Sequence, residues 1–227
     1  MAKEGFAFFD VDHTIIAGST GKHLAFRCVR KGFLPLRQLL KIPLLYFHYR
    51  TGMLEPEILE ELLHQLAGLP IDEIRRMAVE IFDQKIKPRL YLQSLQLIEA
   101  ERFKGRTVVL ATSAPESIVV PLAEFIGVEN VVATRFAVQD GVLTGSFEGP
   151  PAFGEGKLRK VTEFADSNKT DLACCSFYTD SHYDIPLLQK VSDPVAVNPD
   201  RYLRRLAGER GWKILKFKKV LGKTGVL

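Results

Sequence analysis

An α/β fold is what this chain of 227 residues predicts: a doubly wound, mainly parallel sheet with a helical insert after its first strand. Three observations carry that expectation. Short apolar runs bounded by polar or glycine residues recur along the chain, as strands buried on both faces would. Stretches of helical period lie between them, and strands alternating with helices give a parallel sheet with right-handed crossovers. From about Gly18 to Pro88 the period is helical almost throughout, so one block of helices interrupts the alternation early.

Gly5 to Phe9 is the first strand, an apolar run that ends in Asp10-Val11-Asp12. The insert reads as helices over Gly21 to Lys31, Leu36 to Arg50, Glu55 to Leu66 and Ile71 to Lys85, each set off by Gly or Pro. Leu90 to Phe103 is a further amphipathic helix. Thr107 to Ala111, β-branched and apolar, is the second strand. The segment Thr112 to Ser117 opens a helix that runs through Phe125, with Pro115 in its first turn, where a missing N–H costs little. Val128 to Ala133 is a strand, and Asp140-Gly141 between the apolar runs of Phe136 to Phe147 predicts a hairpin. Lys157 to Ala165 is a helix entered through Gly154-Glu155-Gly156. Cys174 to Tyr178 and Val191 to Val197 complete the sheet.

Composition bounds what such a chain can be. With 46% hydrophobic and 26% charged residues it can bury a sizeable core, which excludes disordered, collagenous and coiled-coil classes. The greasiest stretch, Ile42 to Tyr49, is far short of the roughly 18 residues that span a bilayer. With no transmembrane segment and no signal-like N-terminus, a cytoplasmic location is expected. Cys28, Cys174 and Cys175 show no metal-ligand spacing and read as small buried hydrophobes. The net charge of +4 is unevenly spread. From Arg201 onward nine Lys or Arg face one acid, Glu209, while the preceding 200 residues hold 22 basic and 26 acidic groups. The excess is a basic C-terminal feature rather than a nucleic-acid-binding body, and no nucleic-acid partner is expected.

The acids are placed for chemistry. Asp10 and Asp12 stand two apart after a strand, so in extended chain both side chains point one way. Asp180 and Asp184 follow another buried strand, and Thr112 ends a third; in an open parallel sheet all of these reach the same carboxyl edge. Four acids at one edge repel, since unit charges about 4 Å apart cost about 4 kcal/mol at an effective dielectric near 20. A cation is therefore expected. Oxygen donors favour a hard ion such as Mg²⁺, and neither Cys nor paired His spacing supports zinc.

Asp10-Val11-Asp12-His13-Thr14 resembles the Asp-x-Asp-x-Thr signature of the haloacid dehalogenase superfamily phosphatases. Thr112 after its strand resembles the second motif of that superfamily, Lys157 the third, and Asp180 to Asp184 the fourth, in the family's order across roughly residues 5 to 200. The helical insert is similar to the cap of the phosphoserine-phosphatase-like branch. The resemblance implies a Rossmann-like catalytic core over 1–16 and 89–212, a small helical cap domain over 17–88, and a basic tail over 213–227. It implies a Mg²⁺-dependent phosphatase of small phosphomonoesters acting through an aspartyl phosphate. Asp10 would be the nucleophile and Asp12 the general acid and base. Asp10, the Asp12 carbonyl and Asp180 would hold the metal. Thr112, Ser113 and Lys157 would bind phosphate, Thr14 and Asp184 would support the site, and His13 and His182 are candidate substrate contacts.

Two departures from the family pattern stand out. Ile15 to Lys22 contains no acid where phosphoserine phosphatases bind the substrate ammonium, which disfavours phosphoserine; histidinol phosphate is a candidate by resemblance alone. Thr179 and Ser181 replace the usual glycines around Asp180. Arg27, Arg30 and Arg50 could meet a substrate anion from the cap. A phosphotransferase using the same intermediate is the alternative enzyme. A module binding anionic membrane or nucleic acid through the basic end, with a vestigial site, is the alternative of another class. Leu34 to Tyr49 is the other candidate for membrane-surface contact. The sequence does not set the oligomeric state.

Overall fold

The computed structural model describes residues 5–38 and 56–222. Strand β1 (Phe6–Phe9) is the centre of the molecule. Successive side chains of a strand alternate between faces, so both faces must be covered for such a run to be buried. Ala7 and Phe9 join one apolar cluster and Phe6 and Phe8 the other. Phe8 and Phe9 are both fully buried, and each stabilises the fold by about 1.5–3 kcal/mol.

The helices α1 (Thr20–Arg30), α2 (Pro56–His64) and α3 (Ile71–Ile81) follow. A π-helical turn over Phe82–Ile86 and a 3₁₀ turn over Lys87–Arg89 lead to α4 (Leu92–Phe103). The helix expected over Leu36 to Arg50 lies, from residue 39 on, outside the described residues. Strand β2 (Thr107–Pro115), α5 (Glu116–Phe125) and β3 (Asn130–Thr134) come next. They lead into the hairpin β4 (Phe136–Gln139) and β5 (Val142–Phe147). The chain continues through α6 (Glu155–Ser167), β6 (Ser176–Thr179), α7 (Ile185–Leu188), β7 (Asp193–Val197), α8 (Arg201–Glu209) and β8 (Lys213–Leu215).

Six strands form one sheet in the order β3-β2-β1-β6-β7-β8, with every pairing parallel. The order runs outward from β1 in one direction through β2 and β3, and in the other through β6, β7 and β8. A crevice opens at such a reversal, beyond the carboxyl ends of the strands. Asp10 follows β1 and Asp180 follows β6, so the reversal brings them to neighbouring positions. Asp140 and Gly141 both take positive φ, 51° and 79°, in the tight turn that the hairpin twist demands. The hairpin forms its own two-stranded sheet and is bonded to the helical insert, with Leu143 N donating to Leu69 O and accepting, through its carbonyl, from Gly68 N.

Three expectations are corrected. The helix after the second strand starts at Glu116, because β2 runs on through a register irregularity to Pro115, where it pairs with Thr134. Cys174 is exposed while Cys28 and Cys175 are buried, because a 3₁₀ turn over Leu172–Cys174 precedes the last central strand. The basic end is no loose tail as far as residue 222. Lys213–Leu215 pairs in parallel with Val195–Val197, Val220 bridges to Tyr91, and Leu221 is buried. Leu215, Phe217 and Leu221, set among the lysines, pack on the core and supply the apolar contacts that a charge count overlooks.

Glu101 is the buried acid of this scaffold away from the sheet edge. Its carboxylate accepts from Lys104 Nζ at 2.6 Å and Arg106 Nη1 at 2.9 Å. Burial pushes its pKa up, and these two cations outweigh burial to hold it below the ordinary glutamate value. A depressed folded-state pKa contributes stability above the unfolded value of about 4.3, and that contribution is lost as pH falls through the folded one. Glu101→Gln is expected to cost about 1.5–3 kcal/mol at pH 7 and progressively less below pH 4, read by urea denaturation at the two pH values. A pH-independent cost would contradict it.

Candidate active site

The site is built at the carboxyl edge of β1, β2 and β6. Asp10 is held by its own backbone, whose amide donates to Tyr178 O at 2.8 Å, so the residue leaves the sheet still in register with β6. After it the chain folds into a tight loop in which the amides of Thr14, Ile15 and Ile16 all turn back to Val11 O. His13 takes a positive φ of 58° at the apex, a conformation that few residues other than Gly, Asn, Asp and His adopt. The loop is tied from the end of β7 by Asn198, whose Nδ2 donates to His13 O and whose Oδ1 accepts from Phe217 N.

Lys157 binds two of the predicted acids together. Its buried ammonium donates to Asp10 Oδ1 at 2.9 Å and to Asp184 Oδ2 at 2.8 Å. Both carboxylates are 2% exposed, so the contacts form where water screens little. Burial disfavours the Lys157 charge, but the two carboxylates prevail and hold its pKa above the usual lysine value. Burial pushes the Asp10 carboxyl up to about 7, against the pull of Lys157. Gly156 lets α6 start close enough for this reach, since a Cβ there would lie 2.2 Å from Pro151 O. Thr179 Oγ1 donates to Asp184 Oδ2 at 2.6 Å and accepts from Ser181 N, so the Thr that replaces a family glycine orients the fourth motif.

Asp12 turns to the helical side. Its Oδ1 accepts from Thr20 N at 2.9 Å, at the start of α1. Burial raises its pKa, with the Thr20 amide and the Ser19 and Thr20 hydroxyls pulling the other way. Thr112 is fully buried and its Oγ1 accepts from Ala114 N, while the half-buried Ser113 faces a cavity. Thr14 is buried, and its hydroxyl has no hydrogen-bond partner among the described residues.

His182 is drawn aside. Its ring Nδ1 lies 2.8 Å from Asp200 Oδ2, which also accepts from the His182 amide, and the ring packs on Tyr183 and Tyr202. Neither His13 nor His182 lines the cavity beside the site. Of the cap arginines, Arg27 is paired with Glu80 at 3.0 Å and Gln84 at 3.2 Å, Arg30 is exposed, and Arg50 lies outside the described residues. A cationic edge lies nearby. Burial and then Arg89, Lys85 and Lys22 push the His23 imidazole down to about 4, leaving it neutral among three cations. Thr20, Thr179, Asn198 and Asp200 were not singled out from the sequence as partners. Asp200 carried a legible signal, since it caps α8 by accepting from Leu203 N.

The four acids of this edge are held in different ways. Among the described residues no three His, Cys, Asp or Glu side chains converge to enclose a metal. Lys157 contacts both Asp10 and Asp184 but offsets only one of their two charges, and Asp12 is turned to the Thr20 amide. What the edge presents is smaller: Asp10, Asp180 and the backbone of Asp12. This donor set is all oxygen and suits Mg²⁺, which takes one or two carboxylates and keeps waters. Asp10 Oδ2 is buried and accepts no hydrogen bond among the described residues. A buried carboxylate oxygen left so is costly, and a hard cation relieves the cost.

Residues 7–189 match the family model of haloacid dehalogenase-like hydrolases. The chain is 35% identical to an inhibition of morphological differentiation protein of Streptomyces azureus, over 93% of this chain and 78% of that one. It is 34% identical to a probable phosphatase of Mycobacterium tuberculosis, over 93% and 75%. A crystal structure of a Bordetella pertussis Tohama I protein of unknown function is similar at TM-score 0.85 and 30% identity, over 94% of this chain and 99% of that one. With a switch-point sheet carrying the Asp10 loop, the Lys157 bridge and the Asp180 to Asp184 turn in the family's order, the chain belongs to the haloacid dehalogenase-like hydrolases.

Proposed function

We propose that this hydrolase cleaves small phosphomonoesters through an aspartyl phosphate on Asp10, with Mg²⁺ as its cofactor. The observation that carries the reading is the Asp10 carboxylate, buried at the strand edge with one oxygen on Lys157 and the other without a hydrogen bond. The phosphatase name of the Mycobacterium tuberculosis relative supports the reaction class.

Asp10 attacks phosphorus in line while the alkoxide leaves on the opposite side. Asp12 has the properties of an acid for that alkoxide. Its raised pKa favours the proton-bearing form, and it lines the cavity where a leaving group would sit. The Thr20 amide orients the Asp12 carboxyl through Oδ1; its proton goes to the departing alkoxide, and the carboxylate then takes a proton from the water that attacks the phosphorylated Asp10 and releases inorganic phosphate. Ser113 and Lys157 offer donors to the phosphoryl oxygens, and Thr112 fixes the turn that presents Ser113. Bound Mg²⁺, held by Asp10, Asp180 and the Asp12 carbonyl, would offset the charge that develops on those oxygens. Asp184 positions Lys157, and Thr14 stabilises the loop. Residues 17–88 act as a cap that excludes water, with 1–16, 89–212 and the added strand Lys213–Leu215 as the catalytic body.

Phosphate release from an aryl phosphate tests this reading. Release is expected in Mg²⁺ and is expected to fall at least a hundredfold with chelator, recovering when Mg²⁺ is restored. Release indifferent to chelator would remove the metal from the proposal.

A further inference from the structure

The cavity beside the site is apolar, and its character selects a substrate class. It has a volume of about 260 Å³ and lies between α1, the α2 end of the insert and the β4–β5 hairpin, with Asp12 and Ser113 on its wall. Leu24, Cys28, Leu63, Leu66, Phe136 and Phe147 are among the apolar side chains of its wall. Among the described residues that line it, Asp12 is the only acid and Lys22 the only cation. Gln38, the buried amide of the wall, is neutral and donates to Gln65 Oε1 at 2.9 Å.

A leaving group attached to a phosphoryl on Asp10 must pass Asp12, its proposed acid, and so extends into this cavity. Among the described residues that line it, an ammonium would have no carboxylate to face except Asp12, whose proton the reaction requires. Burying an unpaired ammonium is strongly unfavourable, whereas each methylene that enters gains about 0.8 kcal/mol, or about fourfold in affinity. We infer that the site takes phosphomonoesters of uncharged, predominantly apolar alcohols or phenols, and discriminates against amino-alcohol and amino-acid phosphates. This rests on the phosphatase reading for the position of the phosphoryl group, and it extends that reading to the substrate.

The test is binding, measured by calorimetry in Mg²⁺ with phosphonates that cannot be hydrolysed. Over the series ethyl to hexyl, Kd is expected to fall about fourfold per methylene and to level off once the cavity is full. Butylphosphonate and 3-aminopropylphosphonate differ in a terminal methyl against an ammonium, and the first is expected to bind at least tenfold tighter. Ala25→Asp, which adds an acid to the wall on α1, is expected to shift that ratio at least tenfold toward the amine. A flat series, tighter binding of the amine, or a ratio unmoved by A25D would overturn the inference. Because the readout is binding, the two proposals fail separately. Chain-length dependence without phosphate release from any ester keeps the pocket assignment and removes the enzyme reading. Release without chain-length dependence does the reverse.

Discussion

Asp10→Asn is expected to lower kcat on an aryl phosphate by at least 10⁴-fold while the melting temperature stays level or rises. Asn preserves the shape of the side chain and removes the negative oxygen that would bond phosphorus. The stability half of the prediction follows from Asp10's own cost. Burial pushes its carboxyl up to about 7, which means that the fold holds the ionised form at a disadvantage despite Lys157. A raised folded-state pKa on an acid contributes stability at low pH and loses it as pH rises past the unfolded value. The variant's gain over the parent is therefore expected to be larger at pH 8 than at pH 5. Groups kept at a stability cost are the usual mark of a functional position. Phosphate release and a thermal melt on the same preparation check both halves, and a variant retaining a tenth of the parent kcat would remove Asp10 as the nucleophile.

Lys157→Met is expected to damage activity and stability together. Loss of one donor to the phosphoryl oxygens costs about 10²–10³ in kcat. Methionine fills a similar volume but leaves Asp10 and Asp184, each 2% exposed, without the ammonium that both contact. Breaking a buried ion pair by deleting one member costs about 3–5 kcal/mol, because the remaining charge is buried and uncompensated. The paired variant Asp10→Asn with Lys157→Met is expected to regain part of that stability and none of the activity, since it removes one of the two stranded carboxylates. Urea denaturation of the parent, both singles and the double gives the coupling directly. Purely additive stabilities would show that the Lys157–Asp10 contact carries no net energy.

Much of the site was legible because its residues follow strands. Phe6–Phe9 is an apolar run and Ser176–Thr179 is buried throughout; Asp10 and Asp180 are the first charged residues after these strands. Lys157 was legible only by its order between motifs, since nothing local marks a lysine early in a helix as buried. The turn of Asp12 toward Thr20 N was not legible, because it depends on where α1 begins relative to the loop. Nor was the pairing of Lys213–Leu215 with β7, since lysines dominate a charge count of that end. The hairpin was legible from Asp140-Gly141 as local structure, yet its place on the cavity wall was not.

Periodicity and punctuation in the chain by themselves determined the α/β class, the central strands and the residue types available for phosphoryl chemistry, because strand burial and turn formation are short-range properties. Only the tertiary structure decided which acids share a cation. Lys157 reaches Asp10 across 147 positions and Asp184 across 27, and a pairing over such separations depends on strand order at the sheet reversal. The same holds for the cavity. Its apolar wall is assembled from two insert helices, the end of β2 and a distant hairpin, and its chemistry follows from their packing rather than from any one of them.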